Sequence, residues 1–298
     1  MSLFFMLAAA AASPVAKPVP SAGEIVAASP AADWQTIAPQ DLLVMDLASD
    51  AAGRPRRVVI QLMPPPFSQG WVGNIRKLAG AHWWDGLSVY RVQDNWVSQW
   101  GDGEGEDKSK AKPLPAGLAK VPQEQYVSPA RVMSSQSQPS RDAYAPSTGY
   151  FEGWPIAYST KSSWPVHCYG SIGVARDNPP DSGTGAELYA VIGHAPRQLD
   201  RNLAVVGRVI EGMQHLSSLP RGPAPMGVYA NVEERTPIVA LHPATEVPDL
   251  PRYEYLSTTS GSFDRYAEAS ANHREPFYVQ PAGGIDICNL KVPVRRKK

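Results

Sequence analysis

The sequence predicts a mainly β protein in which short strands alternate with tight turns. Segments of alternating apolar and polar residues recur along the chain, and this period is typical of half-buried strands. Turn dipeptides such as Asp85-Gly86 separate the segments. The 298 residues include 30 prolines and 24 glycines, which favour many turns and loops, and 43% of the residues are hydrophobic, enough for a core.

The charge balance excludes two classes of partner. Lys and Arg together number 28, and Asp and Glu also number 28, so the formal net charge is zero. Such a chain lacks the positive field that attracts nucleic acid or an anionic membrane surface. We therefore expect no nucleic-acid partner and no polybasic membrane contact.

The N-terminus predicts export. Residues 1–16 resemble a secretory signal peptide, because Leu3–Ala12 has the length of its apolar core and small residues follow. The run is too short to span a bilayer, so we expect no stable membrane insertion after signal removal. The segment lacks Lys and Arg before the run, and the alternatives are a frayed apolar terminus or a misplaced start. We expect a periplasmic or secreted protein, with the Pro- and Ala-rich residues 17–40 as a linker.

The first predicted elements are two strands and a helix. Leu42–Leu47 and Arg57–Leu62 have strand-like composition, and Asp50–Gly53 joins them as a hairpin turn. Trp71–Leu78 then has the apolar spacing of a helix.

A predicted hairpin follows at Trp83–Asp102. Its first strand alternates so that Leu87, Val89 and Arg91 would share one face, and a second strand begins at Trp96. An arginine on a partly apolar face needs a partner or a function, because a desolvated charge is costly. From spacing alone, an ion pair with a carboxylate at a barrel rim would be sufficient.

The middle of the chain predicts a long loop insertion. Residues 103–165 are rich in Pro, Ser, Gln and Gly, and the aromatic stretch Tyr150–Ala157 indicates an ordered piece within them. Three strand-like segments and a helix with apolar spacing follow. They are Gly170–Arg176, Glu187–Ile192, Ala204–Arg208 and Val209–Leu219.

The C-terminal extension, residues 241–298, carries no familiar motif. Thr258–His273 has the spacing of a helix, and Ile285–Leu290 is a candidate edge strand. The final Arg-Arg-Lys-Lys is interpreted as a solvated end.

Other catalytic and metal motifs fail on named residues. Gly170-Ser171 is not a nucleophile elbow, because Tyr169 occupies the position of the first glycine. The six histidines show no paired ligand spacing, so we expect no metal and no cofactor, and His167 is interpreted as a hydrogen-bonded polar residue at a strand start. Cys168 and Cys288 do not form a CxxC motif, but in an exported chain they could form one disulfide or remain two free thiols.

The predicted hairpin resembles the active-site hairpin of cyclophilins. That family shows [YF]-D-G-x-x-[FV]-[HY]-R-V-x-x-x-[FW]-x-x-Q-x-G-D, and the matching positions are Trp84-Asp85-Gly86, Val89–Val92, Trp96, Gln99 and Gly101-Asp102. Later family motifs match at Gly170–Arg176, Gly185–Tyr189 and Leu199–Met213. The resemblance covers residues 41–240, apart from the insertion.

The resemblance implies a fold and an activity. The fold would be all-β: a closed antiparallel barrel of about eight strands capped by two helices. The activity would be peptidyl-prolyl cis–trans isomerisation of exported, Pro-containing polypeptides, without a cofactor or a covalent intermediate. The alternative is a cyclophilin-like module or holdase that grips Pro-containing segments with little turnover.

The resemblance also assigns roles to individual residues. Arg91 would be the catalytic cation, and Gln99 would hydrogen-bond the substrate backbone. The remaining candidates would contact the substrate, either around the proline ring or along the extended peptide. They are Trp96, Val97, Tyr189 and Leu199 in the proline pocket, Leu203 in place of a family histidine, and Ala175, Arg176 and Glu187 along the peptide.

Several of these positions depart from the family pattern. Trp96 replaces the usual Phe, Val97 the usual Met and Glu187 the usual Gln. Gln198 stands where cyclosporin-sensitive members have an aromatic residue. These differences affect the expected turnover rate, the sequence preference and drug binding. They leave the pairing of Arg91 with Gln99 intact.

Overall fold

A computed structural model of the protein describes residues 19–129, 136–137 and 140–297. The predicted signal peptide, residues 1–16, lies outside the described residues. The helices are α1 Ala22–Ala27, α2 Gln69–Gly80, α3 Gln214–Ser217 and α4 Gly261–Asn272. The strands are β1 Trp34–Ile37, β2 Leu42–Leu47, β3 Arg56–Leu62, β4 Ser88–Val92, β5 Val97–Gly101, β6 Gln136–Ser137, β7 Ser147–Phe151, β8 Trp154–Tyr158, β9 Ser163–Pro165, β10 Ser171–Val174, β11 Leu188–Val191, β12 Val205–Glu211, β13 Thr236–Pro243, β14 Tyr253–Leu256 and β15 Val294–Arg296.

Eight strands close into an antiparallel barrel, which confirms the predicted fold. Their order around the barrel is β10-β11-β5-β4-β13-β2-β3-β12. Strands β2 and β3 pair from Leu42↔Gln61 to Leu47↔Arg56, as the predicted hairpin requires. Among the described helices, none is long and apolar enough to cross a membrane.

Strand β2 shows why its sequence is almost continuously apolar. Leu43 and Met45 point into the main core, whereas Leu42 and Val44 pack on the outer side with Tyr253 of β14. Both faces are therefore buried, and the period-2 alternation separates two apolar environments rather than core from solvent. Helix α2 adds Trp71, Ile75 and Leu78 to the main core, as its spacing predicts.

The second predicted helix is wrong over its first half. Residues 205–211 form strand β12, which pairs with β3, and only Gln214–Ser217 are helical. Gly212 separates the two with a φ of +86°, a left-handed conformation that glycine adopts without a steric penalty. The apolar residues fit a helical period, but pairing with β3 decides the conformation.

A second region packs beside the barrel, and we call it the accessory region. It contains α1, α4, the three-stranded sheet β1-β14-β15 and the four-stranded sheet β6-β7-β8-β9. Its core includes Trp34, Tyr150, Trp164, Phe263 and Leu290, which come from all three parts of the chain outside the barrel.

Two predictions near the ends of the chain are wrong, and both fall in the accessory region. Residues 17–40 are not a linker where they are described, because Ser21 and Glu24 form a capping box on α1 and β1 pairs with β14. The edge strand predicted at Ile285–Leu290 is also wrong. Ile287 and Leu290 instead enter the accessory core from a turn, and Val294–Arg296 provides the edge strand.

The insertion at residues 103–165 is more structured than a loop. Strands β7 and β8 form a hairpin over the predicted ordered piece, and β6 and β9 flank them. Arg208 of β12 joins this hairpin to the barrel, since its guanidinium lies 4.3 Å from the Trp154 ring centre and donates to the carbonyl of Gly153 at 2.6 Å. Burial lowers the pKa of Arg208 to about 10, so it remains a cation at neutral pH.

Cys168 and Cys288 are joined in a disulfide, and they are 120 positions apart in sequence. Cys168 precedes barrel strand β10, and Cys288 lies in the C-terminal extension. The bond therefore ties the accessory region to the barrel.

Candidate active site

The candidate site lies on the outer face of the barrel, at β4, β5 and β11. Gln99 pairs with Arg91 on one side and with Tyr189 on the other. A β-bulge between Val89 and Arg91 shifts the register, so that Val89 lies in the core and Arg91 does not. The prediction that Leu87, Val89 and Arg91 share one face is therefore wrong, and the bulge is what turns the guanidinium outward beside Gln99.

The structure brings nine of the ten predicted site residues around one cavity of about 130 Å³. Six of its lining residues are apolar or aromatic, and three have polar side chains, Arg91, Gln99 and Arg176. The nine residues are Arg91, Trp96, Val97, Gln99, Ala175, Arg176, Tyr189, Leu199 and Leu203.

Glu187 is the predicted residue that does not line this cavity. It lies in an adjoining groove of about 420 Å³, which shares Gln99, Ala175 and Arg176 with the cavity. An extended peptide could follow the groove while one side chain enters the cavity.

Arg91 is held by three acceptors. Nε donates to the carbonyl of Met226 at 2.8 Å, Nη1 to Gln99 Oε1 at 2.9 Å and Nη2 to Gln93 Oε1 at 2.6 Å. Partial burial lowers its pKa from the usual arginine value, but a guanidinium stays charged in proteins. Since a guanidinium has five N–H donors, these bonds leave two for a substrate.

Gln99 is oriented by a chain of hydrogen bonds. Its oxygen accepts from Arg91, and its Nε2 donates to the hydroxyl of Tyr90. Tyr90 donates in turn to Glu187 Oε2 at 2.8 Å, and the other Glu187 oxygen accepts from the backbone N–H of Asp102 at 2.8 Å. The amide of Gln99 therefore has a fixed direction before any substrate binds.

Tyr90 and Glu187, at the buried end of this series of hydrogen bonds, both have shifted pKa values. Burial raises the pKa of Glu187 to about 7, although its bonds from Tyr90 and Asp102 act in the opposite direction. Burial and the neighbouring Glu187 also raise the pKa of Tyr90, which stays protonated. The close fit depends on Gly101, where a Cβ atom would lie 2.2 Å from a Glu187 carboxylate oxygen.

Tyr189 forms one wall of the cavity and is fixed from behind. Its hydroxyl bonds His167 Nε2 at 2.9 Å, and His167 Nδ1 bonds Asp200 Oδ1 at 3.0 Å. His167 is fully buried and hydrogen-bonded on both ring nitrogens, as its sequence position predicts. Gly173 allows the ring to lie flat on β10, because a Cβ atom there would be 2.2 Å from Tyr189 Cζ.

The sequence did not identify the residues that hold the candidate catalytic pair. The carbonyl of Met226 lies 135 positions from Arg91, and Gln93 falls at an unspecified position of the hairpin motif. Tyr90 was recognised as a family position, but its link to Glu187 depends on pairing between distant strands. No local pattern reports such contacts.

Comparison with known proteins places the chain in a family. The model of the cyclophilin type peptidyl-prolyl cis-trans isomerase/CLD family matches residues 57–241. This match covers more than half of the chain, and the protein belongs to this family. The resemblance of the hairpin motif is thereby confirmed at the level of the family.

The fold is also similar to a solved bacterial structure. The crystal structure of cyclophilin AquaCyp293 from Hirschia baltica matches with a TM-score of 0.64 and 20% sequence identity, over 89% of this chain and 94% of that chain. The overlap extends beyond the 185 residues of the family match, so it includes much of the accessory region. Among the curated proteins, none matches this chain.

Proposed function

We propose that this protein is a peptidyl-prolyl cis–trans isomerase acting on Pro-containing polypeptides. The observation that carries the proposal is that the guanidinium of Arg91, bonded to Gln99 at 2.9 Å, lines one cavity with Trp96, Val97 and Tyr189. A cation beside apolar and aromatic side chains matches the chemistry of a prolyl ring joined to a polar amide.

The reaction needs little from the protein beyond binding and charge. Rotation about an X–Pro bond has a barrier of about 18–20 kcal/mol, because resonance gives the amide partial double-bond character. When the bond twists, the prolyl nitrogen regains a lone pair. A cation directed at that nitrogen stabilises the twisted state more than either planar state, which lowers the barrier without a covalent intermediate.

Arg91 is suited to this role. Its two remaining N–H donors are available to a substrate, while its other three fix the direction of the guanidinium plane. A preorganised donor costs little reorganisation when the lone pair develops.

The neighbouring residues would hold the peptide. Trp96, Val97, Leu199 and Leu203 offer apolar surface to the ring, and burial of the ring keeps it still while the preceding carbonyl turns. Gln99 retains one N–H and one lone pair beyond its bonds to Arg91 and Tyr90, so it can bond the substrate backbone.

A binding module with little turnover is the second candidate. It is favoured by the three protein acceptors that already surround Arg91, since a guanidinium satisfied by its own protein has less to gain from a twisted substrate. Such a module would still bind proline rings in the apolar cavity.

An exchange measurement separates these candidates. Two-dimensional NMR exchange spectra of a panel of X–Pro peptides would give the cis–trans rate with and without catalytic amounts of the protein. The uncatalysed exchange takes on the order of tens of seconds, and an isomerase shortens it well below this time. Peptides that bind while their exchange stays unaccelerated would favour the binding module.

Trp96→Ala is the companion variant in this experiment. The substitution opens the cavity, and it should weaken peptide binding under both functions. If peptide affinity is unchanged in Trp96→Ala, peptides bind elsewhere and the site assignment fails.

We further propose that the protein acts on exported polypeptides in a periplasmic or extracellular compartment. The proposal is supported by the Cys168–Cys288 disulfide, since disulfides persist mainly in oxidising compartments, and by the signal-like residues 1–16. Fractionation of the natural host, with N-terminal sequencing, tests it. A mature chain starting near Ser13 or Lys17 is expected, and an intact Met1 on cytoplasmic protein would contradict it.

A further inference from the structure

A cluster of two histidines and two carboxylates lies apart from the cavity that Arg91 lines. His82 and Asp85 belong to the turn between α2 and β4, His242 lies near the end of β13, and Glu246 ends the following 3₁₀ turn, Ala244–Glu246. None of the four lines the cavity of Arg91. The sequence did not predict the cluster, because 160 positions separate the two histidines and pairing of β13 with β4 brings them together.

The geometry of three of these side chains is that of a ligand set. One ligand atom from each of His82, Asp85 and His242 lies within 4.8 Å of the others. His242 Nε2 is 2.7 Å and His82 Nδ1 is 3.4 Å from the same oxygen, Asp85 Oδ2. Tetrahedral bonds of about 2.0–2.1 Å to zinc place neighbouring ligand atoms about 3.3 Å apart, so small movements would be enough to close a site.

The hydrogen bonds around His82 leave a lone pair facing a carboxylate. His82 Nε2 lies 3.0 Å from Glu246 Oε2, and a bond to that acceptor requires Nε2 to carry a proton. A neutral ring then presents the lone pair of Nδ1 to Asp85 Oδ2. Two acceptors that face each other repel, and a metal ion bound between them would replace this repulsion with attraction to both.

The surroundings are those that metal ligands usually have. Glu246 would accept from the ring nitrogen of His82 that does not bind metal, and such a carboxylate fixes the tautomer and orientation of a histidine ligand. Asp85 is held by the backbone N–H of Leu241, which donates to its other oxygen at 3.0 Å. Lys112 donates to the backbone carbonyl of Asp85 rather than to its carboxylate.

The ligand types select the class of ion. Two imidazoles and one carboxylate suit zinc and its first-row neighbours, whereas calcium and magnesium prefer sites made of oxygen ligands alone. The side chain of His82 is 46% exposed and that of Asp85 31% exposed, so an ion could enter from solvent and keep water in its remaining positions.

We propose that His82, Asp85 and His242 bind one divalent transition-metal ion of the zinc class, with Glu246 orienting His82. The ion would bridge the turn that leads into β4 and the end of β13. Because β4 carries Arg91, the site would stabilise the barrel at the strand that presents the catalytic candidate. A ligand that binds only the folded state raises stability by mass action.

The test uses the full-length protein after treatment with a chelator. Calorimetric titration with Zn²⁺ and absorption titration with Co²⁺ should each give one site per chain, and Zn²⁺ should displace Co²⁺ and abolish its visible bands. An excess of Mg²⁺ or Ca²⁺ should not compete, because neither prefers imidazole. Thermal unfolding should shift upward with Zn²⁺.

Three variants locate the site. His82→Asn keeps a residue that tolerates the left-handed backbone at position 82, where φ is +53°, and it should lower Zn²⁺ affinity about 100-fold or more, as should His242→Gln. Glu246→Gln removes only the orienting carboxylate and should lower affinity about 10- to 100-fold. His215→Gln, on α3, is the control and should bind like the wild type.

Two results would overturn the proposal. One is the absence of saturable Zn²⁺ or Co²⁺ binding to the wild type. The other is wild-type affinity in both histidine variants, which would place the ion elsewhere. Thermal unfolding of the metal-free variants verifies that each is folded, and Glu246→Gln gives an independent result if a ligand variant is not.

Discussion

The barrel and the accessory region differ in how they relate to the candidate site. The barrel places Arg91 and Gln99 on a local hairpin, β4–β5, although other barrel pairs, such as β13–β2 and β11–β5, join strands that are far apart in sequence. In the accessory region, β1 pairs with β14, and the shared core draws on residues as distant as Trp34 and Leu290. Every candidate residue around the cavity of Arg91 belongs to the barrel and its loops, whereas the accessory region contributes packing and one covalent link.

The difference indicates a division of labour. The site requires a fixed guanidinium, a fixed amide and an apolar cavity, and these come from β4, β5, β11 and the residues after Pro196. The accessory region reaches the site only indirectly. His167, which holds Tyr189, directly precedes the disulfide at Cys168.

Removal of the disulfide tests whether the accessory region serves stability rather than the site. It is expected to change the free energy of unfolding more than the other variants discussed below. In a Cys168→Ser/Cys288→Ser variant, the free energy of unfolding should fall by about 2–5 kcal/mol, because the unfolded chain loses the constraint of a long loop. Denaturant unfolding measures this change. Since the site belongs to the barrel, kcat/KM for a Pro peptide should change by less than about threefold under native conditions, a shift below 1 kcal/mol.

The control is wild-type protein titrated for thiols in denaturant without reductant. It should show none, because both cysteines are bonded. Loss of activity with unchanged stability would mean that the disulfide serves the site rather than the link between the regions.

A second prediction concerns a carboxyl within the barrel. The pKa of Glu187 is about 7 in the folded protein against 4.5 for an ordinary glutamate. Between these values the folded state holds a proton that the unfolded chain has released, so the free energy of unfolding should fall as pH rises from 4.5 to about 7. The loss from this group is on the order of 3 kcal/mol.

Glu187→Gln should abolish that part of the pH dependence. Denaturant unfolding at several pH values measures the slope, and Glu106→Gln, in the exposed loop after β5, is the matched control. An unchanged slope in Glu187→Gln would show that burial of this carboxyl does not control the stability of the barrel.

The smallest expected effect concerns the edge of the site, where the chain departs from its family. Gln198 is exposed beside Leu199, at the position where cyclosporin-sensitive members carry an aromatic residue. We expect weak inhibition of isomerisation by cyclosporin. Gln198→Trp should strengthen inhibition about fivefold, since an aromatic contact with an indole donor contributes about 1 kcal/mol.

Gln198→Leu provides the control, because it adds apolar surface without the N–H donor. Equal inhibition of the Trp and Leu variants would assign any gain to apolar area alone. Strong inhibition of the wild type would contradict the alignment at this position.

The same contrast explains what the sequence could predict. The hairpin motif identified Arg91, Gln99 and Trp96 because the residues are close in sequence and their strands are neighbours. The bulge at Tyr90 escaped prediction because period 2 assumes a regular strand. The accessory region escaped because β1 and β14 acquire their partners only through pairing over about 200 residues; even so, the capping box of Ser21 and Glu24 was a readable signal for α1.

The kinetics of Arg91→Ala test the central claim most directly. If Arg91 stabilises the twisted bond, the variant should lose about 10²–10³-fold in both kcat and kcat/KM, as expected for one preorganised donor. Peptide affinity should change little, because Trp96, Val97, Tyr189 and Leu199 still hold the ring. Trp96→Ala, measured in parallel, should lose affinity instead. An Arg91→Ala variant with wild-type turnover would contradict the account, because the outward-turned guanidinium would then play no part in the reaction.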